Sequence, residues 1–459
     1  MPTGLSKRSA YTKKHGSFNT ALALGAMFTA SLMALAPTIA HSEEKPWWQQ
    51  IIGHPGQLDY RQKSKRRSAR KYQVDDLRKG PIPLRSEEVY DATQAAIVRY
   101  ERIAAKGGWK KIDNYRMIRP GDSDNRIPLV RARLKATGDL PEHKGGFYYE
   151  SYAYDSTLEA GVVNFQKRNG LRITHRIDRA TIAAMNISAA DRARQLKVNL
   201  ERLRHLITGR IEDRYVLVNA AAYQLEAIEK YTVEQRHRVI VGKPGRDTPI
   251  IKATIKALNF FPYWHVPESV ARRDLIPRLK TEPEYLKKEH IRVYKGSYEG
   301  PPLDVHNIDW SQIKASDLLF RQDPGPWNAL GVVRIDMPNK DIVYMHDTPM
   351  KKLFSQSRRA FSAGCVRVQG VFDLVDWIAH YEMGWQQPGR AEQVVAGGEP
   401  LDLELTRPIP VYFTYITAWA EPRGPVQFRS DIYDRDGSLR FQTPPDPEEI
   451  VTAPQALAP

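Results

Sequence analysis

Cysteine is almost absent from this chain: Cys365 is the only one among 459 residues. No internal disulfide can form, so the fold must rest on packed cores rather than cross-links. The 12 histidines are scattered without a ligand-like pair, which speaks against a zinc centre, and neither a metal nor another cofactor is expected. Acidic side chains are in short supply, 53 against 69 basic ones, for a formal net charge of +16. Long apolar runs are missing too, except Ala21 to Ala36. That run follows Lys7, Arg8, Lys13 and Lys14 and precedes Thr38-Ile39-Ala40, the order of an export signal over residues 1–40. An uncleaved anchor is the alternative, because the run is near the lower limit for spanning a bilayer. Either way the body is expected outside the cytoplasm, with no transmembrane span after signal cleavage.

Without residues 1–40 the formal charge falls from +16 to +12. Much of it lies in Arg61 to Lys71, a run suited to an acidic polymer or anionic lipid, or to a solvated linker. Export argues against nucleic acid as a partner. At about 100–200 residues per domain the length implies two to four domains.

Residues 41–120 read as a lead-in followed by scaffold helix. Val89, Ala92, Ala96, Ile97 and Tyr100 recur at helical spacing between Ser86 and Ala105. Residues 121–186 predict three short helices: one near Ile127 with Pro128 in its first turn and Gly138 as its stop, one opened by Tyr154 to Thr157, and one over Arg179 to Asn186. This unit resembles the three-helix peptidoglycan-binding domain, except that Thr174 to Asp178 replaces the expected Asp-Gly-x-Ile-Gly turn. Glycan binding or a purely structural role are both open for it. Residues 187–212 predict a second scaffold helix, opened by Ser188 and Asp191 and expected to pair with the first.

From Arg214 the pattern turns to strands: Tyr215 to Asn219, Tyr223 to Glu229 and His237 to Gly242. A mainly β domain over 213–440 is expected, interrupted at about 268–322 by a charged insertion of helices and loop that suits a lid. Asn259 to Pro267 is rich enough in aromatics to line a groove or to pack a core. Ile409 to Trp419 predicts a closing strand, and 441–459 a flexible tail. The whole is multidomain α+β.

A lone thiol in an exported chain is a liability unless it is buried or used. Cys365 lies in Ser362-Ala363-Gly364-Cys365-Val366-Arg367, with His346 nineteen residues upstream at a strand end. Thiol attack needs a base or cation that lowers the thiol pKa, and backbone donors for the oxyanion. His346 supplies a base, Arg367 a fixed charge, Gly364 a turn that directs the Cys365 N–H inward, and the following helix an N-terminal dipole.

The joint pattern His346, Ser362, Gly364, Cys365 and Arg367 resembles the YkuD-type L,D-transpeptidases, whose signature is a histidine and then Ser/Thr-x-Gly-Cys with arginine two places on. Ala363 stands where many members carry histidine, which is similar to the large YcbB-like subgroup with scaffold, peptidoglycan-binding-like and capping elements. Asn259 to Pro267, Gly325 to Gly331 and Tyr344 to Pro349 share the likeness. The resemblance implies a periplasmic enzyme acting on peptidoglycan stem peptides, with cell-wall synthesis proteins as possible partners. Cys365 would be the nucleophile, His346 the general acid/base, and Gly364 would serve the oxyanion site through its backbone. Ser362 and Arg367 would support, and Tyr263, Trp264, Asn328 and Tyr344 would line the groove. The product implied is a 3→3 cross-link formed through a thioester. Carboxypeptidase, D-amino-acid exchange, lipoprotein ligation and a non-catalytic wall-binding scaffold stay open as alternatives.

Overall fold

The computed structural model describes residues 77–78, 80–140 and 151–437. The stretch 1–40 expected to be an export signal, the basic run 61–71 and the expected tail 441–459 lie outside the described residues. Among the described residues no helix is long and apolar enough to cross a membrane.

Local capping chemistry sets the helical part. Ser86 accepts from the Val89 N–H to open helix Glu87–Ala105, and Glu87 and Glu88 oppose the positive end of its dipole. Ser188 does the same for Ala189–Ile207 through the Asp191 N–H. The two helices meet through Ala96, Ile97, Tyr100, Ala193 and Leu196, and Ala418, Ala420, Val426 and Phe428 complete that core. The last four belong to an antiparallel hairpin of Ala418–Ala420 and Val426–Phe428. The predicted closing strand through Trp419 therefore stops early, at Thr414. Buried Asn219 exchanges hydrogen bonds with the Ile416 backbone, and buried Asn199 takes the Thr417 N–H, so side-chain amides intercept groups a continuing strand would pair.

Helices Ile127–Ala136, Ser156–Arg168 and Arg179–Met185 enclose a core of their own around Ile127, Leu134, Leu158, Phe165 and Ile182. In the divergent turn His175 adopts a left-handed φ of 60°, and Gln166 Oε1 accepts from the Thr174 and His175 N–H groups. This unit is fastened to the scaffold by buried charge. Within the unit Arg168 binds Asp139 through two bonds of 2.5 and 2.6 Å; outward it donates to the Val426 carbonyl at 3.3 Å, and the Arg429 guanidinium donates to the Arg168 carbonyl at 3.0 Å. Arg192 reaches Asn169 from the second scaffold helix at 2.9 Å. Truncating one partner of a buried ion pair strands the other, at about 3–5 kcal/mol. Arg168→Ala is thus expected to lower unfolding free energy by about 3 kcal/mol in a urea titration, and Arg168→Met/Asp139→Leu by clearly less.

The β domain contributes β1 (Arg214–Asn219), β2 (Gln224–Glu229), β3 (Thr232–Gly242), β4 (Ile251–Phe260), β5 (Trp264–His265), β6 (Ile291–Tyr294), β7 (Leu319–Gln322), β8 (Val333–Asp336), β9 (Met345–His346), β10 (Ala360–Ser362), β11 (Val366–Val368) and β12 (Leu401–Thr414). The hairpin strands described above are β13 and β14. Nine strands form one sheet in the order β10-β3-β11-β9-β8-β4-β12-β1-β2, and a β2–β3 pairing closes it on itself. Alternation along the strands sends Leu258, Ile335, Met345 and Val366 to one face, in the main core. Asn259, Arg334, His346 and Arg367 lie in register on the other, one row crossing four strands.

The insertion is more ordered than its composition suggests. Residues 268–279 form one helix with a π-helical stretch, Ala271–Leu275, just before Ile276–Leu279. Pro277 has no N–H to give the preceding turn, which accounts for the local change of register. The stretch predicted as loop from Tyr294 follows strand β6, and β5, β7 and β6 make a separate three-stranded sheet. Leu275, Leu279, Leu286, Val293 and Phe320 join the main core, so the insertion is packed against the barrel.

Candidate active site

The polar row places its charged and titratable members side by side. His346 is fully buried, and its Nδ1 bonds the Asp347 backbone carbonyl. A carbonyl only accepts, so Nδ1 carries the proton and Nε2 presents a lone pair. Nε2 is buried and, among the described residues, makes no hydrogen bond. The Asp347 carboxylate is turned away, accepting from the Val332 N–H and from Lys351. A backbone carbonyl thus orients this imidazole. The Tyr344 ring meets it edge-on at 5.8 Å.

Cys365 immediately precedes β11 and lies beside Tyr344 through the parallel β9–β11 pairing. Cys365 is buried, the residue as a whole being 6% exposed. Gly364 holds a φ of 130°, a conformation costly for any residue with a Cβ. Its carbonyl accepts from Thr248 Oγ1 at 2.8 Å and its N–H donates to Ser362 Oγ at 3.2 Å. Ser362 Oγ in turn donates to the Cys365 carbonyl at 2.6 Å, so this side chain shapes the turn. The Gly364 N–H is therefore engaged and cannot serve an oxyanion, whereas the Cys365 N–H meets no acceptor among the described residues.

Two supporting residues escaped the sequence reading. Thr248 joins the Gly242 N–H to the Gly364 carbonyl, and Tyr433 donates to the Gly242 carbonyl at 2.7 Å. A Cβ on Gly242 would stand 2.0 Å from the Arg246 carbonyl, so the tight 242–248 turn needs this glycine. The only signal was the glycine itself, ahead of Pro244-Gly245, with nothing to link it to position 364.

Electrostatics run against the expectation of a lowered thiol pKa. Burial pushes the Cys365 thiol up to about 11, beyond what contacts with Tyr344 and the Arg367 charge recover. Burial, then Arg367, pushes His346 down to about 3. Desolvation also lowers Arg367 to about 10, still a cation at neutral pH. Its Nε and Nη2 are buried without partners, and Nη1 touches only Met350 Sδ at 3.9 Å. The resting state is thus a neutral thiol, a neutral imidazole and an uncompensated guanidinium. Nor does a helix dipole act directly on the thiol: Val366-Arg367-Val368 pairs with β3 and β9 as a strand, and the helix begins only at Val371.

Of the residues predicted to line a groove, Trp264 and Asn328 do not, since both are fully buried. Asn328 is consumed by the Pro262 and Asp323 carbonyls and the Leu330 N–H, and Trp264 joins the main core. Tyr344 lies between thiol and imidazole rows at 9% exposure, and Tyr263 is open at 47%. Beside them Arg334 donates to Asn259 at 3.1 Å and approaches the Tyr344 ring at 5.8 Å. Among the described residues no three His, Cys, Asp or Glu side chains gather as a metal-ligating group.

Residues 213–396, which hold β1 to β11 and the insertion but not β12, match the family model YkuD, the L,D-transpeptidase catalytic domain. A Haemophilus influenzae protein named as a candidate L,D-transpeptidase is 32% identical over 227 residues, 49% of this chain and 45% of that protein. The matched stretch thus spans less than half the length of that relative. Among solved structures, an L,D-transpeptidase from Stackebrandtia nassauensis overlaps 66% of this chain and 96% of its own at 12% identity and a TM-score of 0.24. One from Mycobacterium smegmatis overlaps 44% and 58% at 13% identity and a TM-score of 0.22. The likeness to that catalytic domain is carried by the sequence matches.

Proposed function

We propose that this chain is an exported L,D-transpeptidase that joins peptidoglycan stem peptides 3→3 through a thioester on Cys365. The observation that carries the reading is the His346 imidazole, its Nδ1 tied to a carbonyl and its Nε2 unpartnered, in the strand next to the only thiol. Cys365 Sγ attacks the carbonyl of the third stem residue while its proton passes to His346 Nε2. Because the thiol is the weaker acid and the imidazole a weak base, the proton moves with the attack rather than before it. The Cys365 N–H receives the oxyanion. Cleavage of the C–N bond releases D-alanine, whose nitrogen takes the proton from His346. The side-chain amine of a second stem then attacks the thioester, His346 accepts its proton, and the thiol is restored.

Arg367 acts behind these groups. At 1% exposure it cannot reach a substrate carboxylate, but its charge favours an anionic sulfur or oxyanion nearby. Incubation with purified disaccharide tetrapeptides, followed by mass spectrometry, should give a Cys365 adduct lacking D-alanine and 3→3 dimers. Tripeptides without dimers would assign hydrolysis instead, and dimers from Cys365→Ala protein would remove the nucleophile assignment.

A further inference from the structure

A second positive group lies outward of the site, on the small sheet of the insertion. Arg321 in β7 stands in register with His265 in β5 and with Arg292 in β6. Its guanidinium lies 4.5 Å from the Tyr263 ring centroid, 4.8 Å from that of Tyr294 and 5.9 Å from that of Tyr298. Nη2 donates to the Tyr294 hydroxyl at 2.6 Å, while Nε is buried with no partner. Among the described residues no carboxylate pairs with Arg321. The nearest acid in sequence, Asp323, is taken by Arg292 at 2.8 Å.

Three tyrosine rings thus hold the cation through favourable cation–π contacts, while among the described residues no carboxylate neutralises it, an arrangement that suits an incoming anion. The cage is continuous with the reaction site. His265 feels both Arg321 and Arg334, and packs on Tyr298 at 4.6 Å. Arg334 approaches Tyr344, which borders Cys365 and His346. Positive charge and aromatic rings therefore run from thiol to insertion. Arg334, tied to Asn259 and Asp336, is already partly compensated, and Arg321 is not.

We propose that Arg321 is a specificity-determining residue that receives a free carboxylate of the substrate peptide, remote from the carbonyl Cys365 attacks. This rests on the stem-peptide reading above and assigns the insertion the task of selecting anionic peptide. With Nε buried and one Nη2 N–H given to Tyr294, Nη1 and the second Nη2 N–H remain as donors for a carboxylate, which an amide matches poorly.

The test uses full-length Cys365→Ala protein, so that binding is read without turnover, and two stem tetrapeptides that differ only in amidation of their side-branch carboxyl groups. Calorimetry should show the free acid bound about tenfold more tightly than the amide. Arg321→Met should remove that preference and leave the amide's affinity unchanged, and Arg321→Lys should restore part of it. Equal loss for both peptides, no loss, or no preference in the parent protein would each overturn the assignment. Acylation of Cys365 in the unsubstituted protein by the same peptides reports separately on the thioester. An adduct without carboxylate preference removes only the subsite; preference without an adduct removes only the transpeptidase reading.

Discussion

Cys365→Ser protein is expected to lose cross-linking activity by roughly 10³-fold or more while keeping its fold. Serine is the smaller residue and fits where the Cys365 thiol packs in the main core. Ser362, Thr248 and the φ of Gly364 hold the loop independently of it. What changes is acidity. An alcohol is far less acidic than a thiol, and His346, held down to about 3 by burial and Arg367, is too weak a base to make up the difference. His346→Gln should cost a comparable amount, since an amide cannot receive the proton. Because thiol and imidazole act as a unit, the double variant should be no worse than the poorer single one. Initial rates of dimer formation, with melting temperature as the control for folding, decide it. Multiplying losses in the double variant would mean that His346 acts on another step.

This pairing was legible in the sequence because strand and turn chemistry are local. Alternating residues before His346, and Gly364 before Cys365, are readable without tertiary knowledge, and so were the Asp155 and Ser188 caps, whereas the Ser86 cap was not read. What depended on distant partners was not. Thr248 and Tyr433 support Gly364 from 116 and 69 positions away along the chain, and no pattern at either residue announces that. Trp264 and Asn328 show the converse: aromatic and amide residues in a groove-like stretch can equally serve a core, and burial decided it. The β-sheet of the insertion was missed because its strands are short and far apart, and only pairing makes them strands.

The same distant contacts tie the 362–365 loop to the scaffold. Arg202 on the second scaffold helix binds Asp436 at 2.5 Å, and Asp436 also accepts from Thr417. One residue before it, Arg435 pairs with Asp247 at 3.1 Å, next to Thr248. A continuous set of side chains therefore runs from helix Ala189–Ile207 to the Gly364 carbonyl. The C-terminal segment, whose sequence reads as a turn, is the bridge between the two parts.

Arg367→Met should separate stability from catalysis. A buried guanidinium with two unpartnered nitrogens and no carboxylate beside it costs several kcal/mol in the resting protein. Methionine fills similar space without that charge, so the variant is expected to melt higher than the parent. Catalysis should move the other way, with acylation slowed about a hundredfold, because the cation is compensated only when sulfur or oxyanion turns negative. The sign of the pH response follows from the same charges. The thiol ionises near 11 in the parent, so alkylation should climb through pH 8 to 10 without levelling off. Removing the cation disfavours thiolate further, which moves the curve to higher pH and lowers the alkylation rate at pH 9 by about tenfold. His346, relieved of its like charge, should move upward from about 3. Arg367→Lys should keep part of the acylation rate. A variant that melts lower and alkylates like the parent would show that Arg367 is a packing element, with its charge idle in the reaction.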